Sequence, residues 1–525
     1  MRQKTRQKED TEKSNISEAG MERQKSKKNG KKKVHLPDIS LPFAAEADNQ
    51  KVALFLEDLE RRITLSMAEK IALIEDFVNA LKFYATTGLT VDEALERLDA
   101  KNLGGFYSRP SNTWYSLDNA AKIYPFSMKH DYMAVFRLSA YLKENIVPEI
   151  LQMALTFTVK RFPSFATTVK KGFFWHYLDA TKRRYIVEPE TGMPCQPIRI
   201  GRSGSQTFRV LYYQNRISVE YFHILTDGSG GMCFLKTLVA EYFRLLGTTS
   251  SCDNGVLPVN GLVAPGEISN EFLNIRSEGA ASGFVQKAAV QFGGKLARIR
   301  PCRVIHFKMD ATALKEVAGR KGATVTAYIL SLMFVAGRRA SDNIEGEFNI
   351  QVPVNMRKFH PSNTLRNFSM YCGIRLPLAE ISEPDELIPE IMRQLTDKAS
   401  YKAMNEMVKA TNLLTNAIRF IPLFLKAPVV RMVYGFLGDR IFCSTLSNLG
   451  VVSLPPEISE RVDSFDFVLG AGTNRASCSV VTFGNTATLS VTKNTIDPSF
   501  EEALYELLYR DGLTPVVEGS ELIAD

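Results

Sequence analysis

The chain has 525 residues, 45% of them hydrophobic and 23% charged. At about 150 residues per domain it allows roughly two to four domains with real cores, and it excludes a collagen-like, wholly disordered or disulfide-stapled small fold. Of the net charge of +8, residues 1–33 supply +7 (12 Lys or Arg against 5 Asp or Glu) and the other 492 residues +1, so the body has no basic footprint for specific nucleic-acid binding. The seven cysteines (Cys195, Cys233, Cys252, Cys302, Cys372, Cys443, Cys478) are scattered and contain no CxxC pair, which predicts reduced thiols and no metal site. An N-terminus without an apolar h-region predicts a protein that stays in the cytoplasm. No apolar run reaches the ~18–20 residues of a membrane span. The nearest, Asn412 to Gly438, is broken by Arg419, Pro422, Lys426, Pro428 and Arg431 and reads as amphipathic helix.

Residues 1–36, polar and basic up to Lys31-Lys32-Lys33, have too little apolar surface to fold and read as a disordered tail. Residues 37–112 read as a helical extension, with apolar residues at helical spacing (Leu56, Leu59, Ile63; Leu73, Phe77, Leu81) and a capping box at Thr90 to Glu93. From about Leu117 strand and helix signals alternate, the pattern of α/β layers. Helices are expected over Glu149–Arg161, Gly231–Leu246, Thr324–Arg338 and Ser499–Tyr509. Strands are expected over Thr207–Tyr213, Arg216–His223, Arg303–Met309 and Glu347–Asn355, with a hairpin from Cys478 to Lys493 turning at Gly484-Asn485. The Pro- and Gly-bearing stretch Ser250 to Arg300 divides the body into lobes of residues 113–285 and 286–525. The aromatics Phe173, Phe174, Trp175 and Tyr177 read as core before substrate wall, and the apolar stretch Leu413 to Leu437 as ordinary packing before a border of the acceptor mouth or a lipid contact.

Common nucleophile and phosphate signatures are missing: there is no GxSxG, HExxH or GxxxxGK[ST], and Gly470-Ala471-Gly472 is a lone GxG. One segment carries chemistry. Ile217, Val219 and Tyr221 alternate as a half-buried strand, which places His223 on the same face at its end, just before Asp227-Gly228 and an apolar-striped helix. The HxxxDG pattern should arise by chance in only about 0.02 of chains with this composition. His306 to Asp310 also fits HxxxD, but Ala311 follows; Asp310 reads there as a helix N-cap and His306 as a structural strand residue.

The segment Tyr221-Phe222-His223-Ile224-Leu225-Thr226-Asp227-Gly228 resembles the HHxxxDG motif of the chloramphenicol acetyltransferase and condensation-domain superfamily, with His223 at the catalytic second histidine and Phe222 at the more variable first. Leu117 to Pro125, Arg161-Phe162-Pro163-Ser164-Phe165 and Gly172-Phe173-Phe174-Trp175 resemble the alcohol acetyltransferase-like branch. Pro353-Val354-Asn355-Met356-Arg357 and Ser447-Asn448-Leu449-Gly450 sit where the superfamily has its second-lobe motifs. The resemblance spans roughly residues 113 to 515. It implies two similar α/β lobes, of mixed sheets with flanking helices, around a central tunnel.

In function the resemblance implies an acyltransferase. His223 would act as general base on an alcohol or amine acceptor, with acyl-CoA or an acyl-phosphopantetheine as co-substrate, no bound cofactor and no covalent acyl-enzyme. Asp227 would pair with Arg357, in a geometry that could be bidentate, and fix the loop, with Gly228 supplying its turn. Ser447 and Asn448 would donate to the oxyanion, although Ser-Asn-Leu-Gly is also a good turn before a strand. Three other readings stand beside it: a condensation-type enzyme fed by an acyl carrier protein, a degenerate binding module, and a contact of the basic tail with an anionic membrane or nucleic acid.

Overall fold

The computed structural model describes residues 43, 45–107, 114–128, 133–198, 206–275, 287–428, 430, 440–470, 472 and 474–520. The expected basic tail, residues 1–36, lies outside them. Three helices open the chain: α1 (Glu46–Arg62), α2 (Met67–Thr86) and α3 (Val91–Arg97). The capping box forms as the residues predict, with Thr90 N donating to Glu93 Oε2 at 2.9 Å and Glu93 N to Thr90 Oγ1 at 3.3 Å. These helices lie against the body. Phe77 meets Phe157 edge-on at 6.1 Å, the Tyr84 hydroxyl donates to the Leu245 carbonyl at 2.9 Å, and Arg184 grips Asp76 with two N–H groups, each at 2.7 Å.

The first lobe is built on a five-stranded mixed sheet in the order β12 (Val462–Leu469), β2 (Val135–Leu142), β7 (Arg216–Phe222), β6 (Phe208–Tyr213) and β5 (Val187–Pro189). Helices α4 (Pro148–Arg161) and α5 (Gly228–Leu245) cover it. Its core is aromatic: Phe162, Phe165, Phe208, Tyr221 and Phe234 interlock at 5.0–6.2 Å between centroids, and each is essentially unexposed. A small sheet of β1 (Trp114–Ser116), β4 (His176–Ala180) and β3 (Thr167–Lys171) flanks it.

The second lobe holds a seven-stranded mixed sheet, ordered β10 (Ser369–Pro377), β9 (Glu347–Asn355), β11 (Ser444–Val452), β13 (Ala476–Phe483), β14 (Thr486–Lys493), β8 (Arg303–Asp310) and β15 (Val516–Gly519). Helices α6 (Ala311–Arg320), α7 (Val325–Arg339), α8 (Pro384–Lys398), α9 (Tyr401–Ala417) and α10 (Ser499–Arg510) accompany it. Every side chain of α7 from Ala327 to Gly337 is buried, which is why that segment reads as apolar all round. Asp310 caps α6 by accepting from Ala313 N at 2.7 Å. His306 is a buried strand residue whose Nδ1 lies 2.8 Å from Ser490 Oγ, and burial lowers its pKa.

The predicted strands form within two residues of their expected bounds, and α5 begins three residues early because Asp227 caps it. Residues 43–525 make one compact unit, and β12 explains why. That strand comes from the C-terminal half yet pairs antiparallel with β2, from Val462 opposite Leu142 to Leu469 opposite Phe136. A division near residue 285 therefore separates the sequence without separating the sheets.

Two stretches expected in the core are on the surface instead. Phe173 is 67% exposed and Phe174 stands beside it, while Phe420 and Phe424 are each 70% exposed. Apolar content alone does not reveal which side of a chain faces water. The part of the 413–437 stretch beyond residue 430 lies outside the described residues. No helix among the described residues is long and apolar enough to cross a membrane.

Candidate active site

The site forms where β7 ends. His223 leaves the strand with its backbone N–H on the Ala134 carbonyl at 2.7 Å, and its half-buried ring is held between two aromatic rings. Tyr124 stacks on it at 4.9 Å and 24°, and Phe136 meets it edge-on at 5.1 Å. Phe222, where the motif's first histidine would stand, is wholly buried in the core.

Asn367 sets the protonation pattern of that ring. His223 Nδ1 is 2.9 Å from Asn367 Oδ1, while Asn367 Nδ2 donates to the His223 carbonyl at 2.9 Å and approaches Asp118 Oδ2 at 3.3 Å. The His223 carbonyl can only accept, so the amide nitrogen must face it and the amide oxygen must face Nδ1. Nδ1 therefore carries the proton. In the neutral ring this tautomer leaves the lone pair on Nε2, which has no hydrogen-bond partner among the described residues. Behind Asn367, Asp118 accepts from Ala121 N at 2.7 Å and sits 3.7 Å from Arg366; burial raises its pKa.

Asp227 does not touch the imidazole. Its Oδ1 accepts from Ser229 N and Gly230 N, each at 3.1 Å, and caps α5. Its Oδ2 accepts from Arg357 Nη1 at 2.7 Å and from Phe368 N at 2.8 Å. The Asp227–Arg357 pair is thus formed, through one nitrogen rather than the two that a bidentate pair would use. Arg357 spends Nη2 on the carbonyls of Thr364 and Arg366, at 2.7 and 2.9 Å, which ties the 357–368 segment of the second lobe around the loop of the first. Thr226 Oγ1 adds a bond to the Leu365 carbonyl at 2.6 Å.

Gly228 is needed for space and not for a turn, since its backbone lies outside the left-handed region. A Cβ there would stand 2.5 Å from Leu449 Cδ2. Gly230 is tighter still: a Cβ would stand 2.2 Å from the Leu365 carbonyl oxygen and 2.3 Å from Thr226 Oγ1.

Ser447 and Asn448 lie on β11, paired with Ser479 and Val480 of β13 ahead of a bulge, so they belong to the strand and not to a turn preceding it. Asn448 turns away from the loop: Nδ2 donates to Thr326 Oγ1 at 3.1 Å and Oδ1 accepts from Gly450 N at 2.8 Å. Leu449, in the bulge that follows, fills the space beside Gly228. The Ser447 hydroxyl makes no hydrogen bond among the described residues.

No protein-family model matches the chain, and no curated protein matches it. Solved structures do. Polyketide synthase associated protein 5 of Mycobacterium tuberculosis aligns over 75% of this chain and 97% of its own, with a TM-score of 0.50 and 11% identity. Trichothecene 15-O-acetyltransferase of Fusarium sporotrichioides covers 76% of this chain and 94% of its own at a TM-score of 0.49 and 12% identity. The starter condensation domain of rhizomide synthetase, crystallised with C8-CoA and Leu-SNAC, covers 76% and 93% at 0.48 and 13%. The chain shares its two-lobed α/β fold with polyketide synthase associated protein 5.

In this fold the first lobe carries His223 together with Tyr124 and Phe136, and the second supplies Asn367. Reasoning from the sequence found His223, Asp227 and Arg357 but missed Asn367, Asp118 and the stacking Tyr124. Asn367 is 144 residues from His223 and lies in an irregular stretch before β10. The adjacent charged and aromatic Arg366 and Phe368 give no periodic pattern that would single it out.

Proposed function

We propose that the protein is an acyltransferase that moves an acyl group from a coenzyme A thioester to an alcohol or amine acceptor, in the manner of the alcohol acetyltransferase-like branch. The observation that carries this reading is the Asn367 clamp, which holds the half-buried His223 ring at a strand end with Nδ1 engaged and Nε2 without a hydrogen-bond partner among the described residues.

In the proposed reaction Nε2 takes the acceptor's O–H or N–H proton as its heteroatom attacks the thioester carbonyl. The tetrahedral intermediate then collapses with cleavage of the C–S bond, and the imidazolium returns the proton to the departing thiolate. No acyl-enzyme is needed, and among the described residues no serine or cysteine is hydrogen-bonded to the His223 ring. The free Ser447 hydroxyl is the donor this reading assigns to the carbonyl oxygen; Asn448, engaged by Thr326, is the weaker partner in that role. Asp227 and Arg357 act as positioning residues that keep the two lobes in register around the base. The passage to His223 from both sides of the molecule, the boundaries of the lobes, and the cytoplasmic location belong to the same proposal.

Free-thiol release from a panel of acyl-CoA donors, with alcohols and amines of increasing size, tests it. Turnover should appear with at least one pair and fall about 10³-fold or more in His223→Ala, with the thermal midpoint unchanged. A parallel arm offers the acyl group on a phosphopantetheinylated carrier protein, where activity restricted to that arm would transfer the assignment to a condensation-type enzyme. The absence of His223-dependent turnover in either arm would leave a binding module.

A further inference from the structure

Beside α9 the chain does something unusual for a globular surface. After α9 ends at Ala417, the next dozen residues project large apolar side chains outward: Phe420 and Phe424 are each 70% exposed and Leu425 55%. The loop between β3 and β4 adds Phe173, 67% exposed, and the two elements are joined into one face. Leu423 N donates to the Phe173 carbonyl at 2.8 Å, and Phe174 meets Phe420 edge-on at 6.1 Å. A contiguous patch of aromatic side chains on a monomer surface marks something that covers it.

The charge around this face says what. Exposed Arg419 adjoins Phe420 and exposed Lys171 immediately precedes the Gly172-Phe173 loop, and residues 407–430 contain no Asp or Glu; Lys426 is instead buried against Trp175, and Lys170 is paired with Asp179. Arg419 lies flat over the Phe420 ring at 4.4 Å, so its stem extends the apolar surface while its charge stays at the rim. An exposed apolar face flanked by Arg419 and Lys171 fits an anionic bilayer surface, where aromatic rings sit at headgroup level. A second copy of the chain would bring Arg419 and Lys171 against their own equivalents, like charge on like.

We propose that the 418–425 segment and the Phe173-Phe174 loop form a membrane-docking face that inserts its aromatic side chains into the interface of an anionic bilayer. The +7 segment of residues 1–33 would add attraction at a distance, which salt screens; insertion of the rings would not be screened. This division gives the test its form, and because it reads binding without turnover, its outcome is independent of the acyl-transfer assignment.

The full-length protein is sedimented with vesicles of phosphatidylcholine alone or mixed with phosphatidylglycerol, at low and high salt. Binding to the anionic vesicles should weaken at high salt but persist. The double variant F420D/F424D, and separately F173D on the other element, should lose the salt-resistant part by about tenfold or more, with thermal midpoints matching the parent. Leu262→Asp, which alters another exposed residue, should bind as the parent does. Parental binding that vanishes entirely at high salt, or salt-resistant binding that survives in both aromatic variants, would overturn the proposal. So would light scattering that shows a dimer dissolved by F420D/F424D.

Discussion

Replacing Asn367 with alanine tests the tautomer argument directly. The variant removes the acceptor at 2.9 Å from His223 Nδ1 together with the donor to the His223 carbonyl, while Tyr124 and Phe136 still hold the ring on two sides. Orientation is therefore largely kept and the proton is freed to sit on either nitrogen. A buried hydrogen bond contributes about 1 kcal/mol net, and the Nε2–H form that then competes has no lone pair for the acceptor's proton. Together these effects should raise the barrier by about 1.4–2.7 kcal/mol, a 10- to 100-fold loss in kcat with KM little changed. Asn367→Asp retains an acceptor for Nδ1 but puts a second carboxylate beside Asp118, so it should recover part of the rate. Steady-state thiol release, with thermal melts to confirm the fold, measures both. If Asn367→Ala kept kcat within about twofold of the parent, His223 would not depend on this clamp and the assignment of Nε2 as the base would lose its support.

Further expectations follow from contacts around the same loop. Asp227→Ala removes the α5 cap and leaves the Arg357 guanidinium, largely buried, without its carboxylate; a loss of ~3 kcal/mol in stability should accompany the loss of rate, read by denaturant melts. Gly230→Ala should cost more stability than Gly228→Ala, because the first Cβ meets a backbone carbonyl at 2.2 Å and the second meets the movable end of Leu449 at 2.5 Å; equal melting points would contradict the packing. Lys426 lies against the Trp175 ring at 3.4 Å, and burial together with the Lys122 charge brings its pKa down to about 8. The unfolded chain then binds more protons than the folded one between pH about 8 and 10.4, so this group's penalty is full below pH 8 and fades as pH rises. Lys426→Met should stabilise the protein at pH 7 by ~1 kcal/mol, a shift discounted for solvent screening, and that gain should shrink at pH 10.

Much of the fold was legible because its signals are local. Thr90 and Glu93 announce a helix start, Ile217, Val219 and Tyr221 a strand, and Gly484-Asn485 a hairpin; the alternation reads as a half-buried strand, whereas β7 is buried on both faces, Ser218 and Glu220 included. The Asp227–Arg357 pair was reached through the resemblance, since 130 residues separate its members. What stayed hidden depends on the third dimension. Asn367 acquires its role only where β10 begins against the end of β7's strand, and Gly228 is small because Leu449 lies against it. Phe173 and Phe420 look like core residues in any sequence window; only the folded chain shows them facing outward.

The loan of β12 to the first sheet has a consequence for how the molecule could be cut or opened. Without Val462–Leu469, β2 would present an eight-residue row of unpaired backbone groups, so a fragment ending before residue 462 should be sticky rather than merely inactive. The same stitching resists any prising apart of the halves, because separating them would break the β12–β2 ladder. Reactants would have to thread their way in while the framework stays shut.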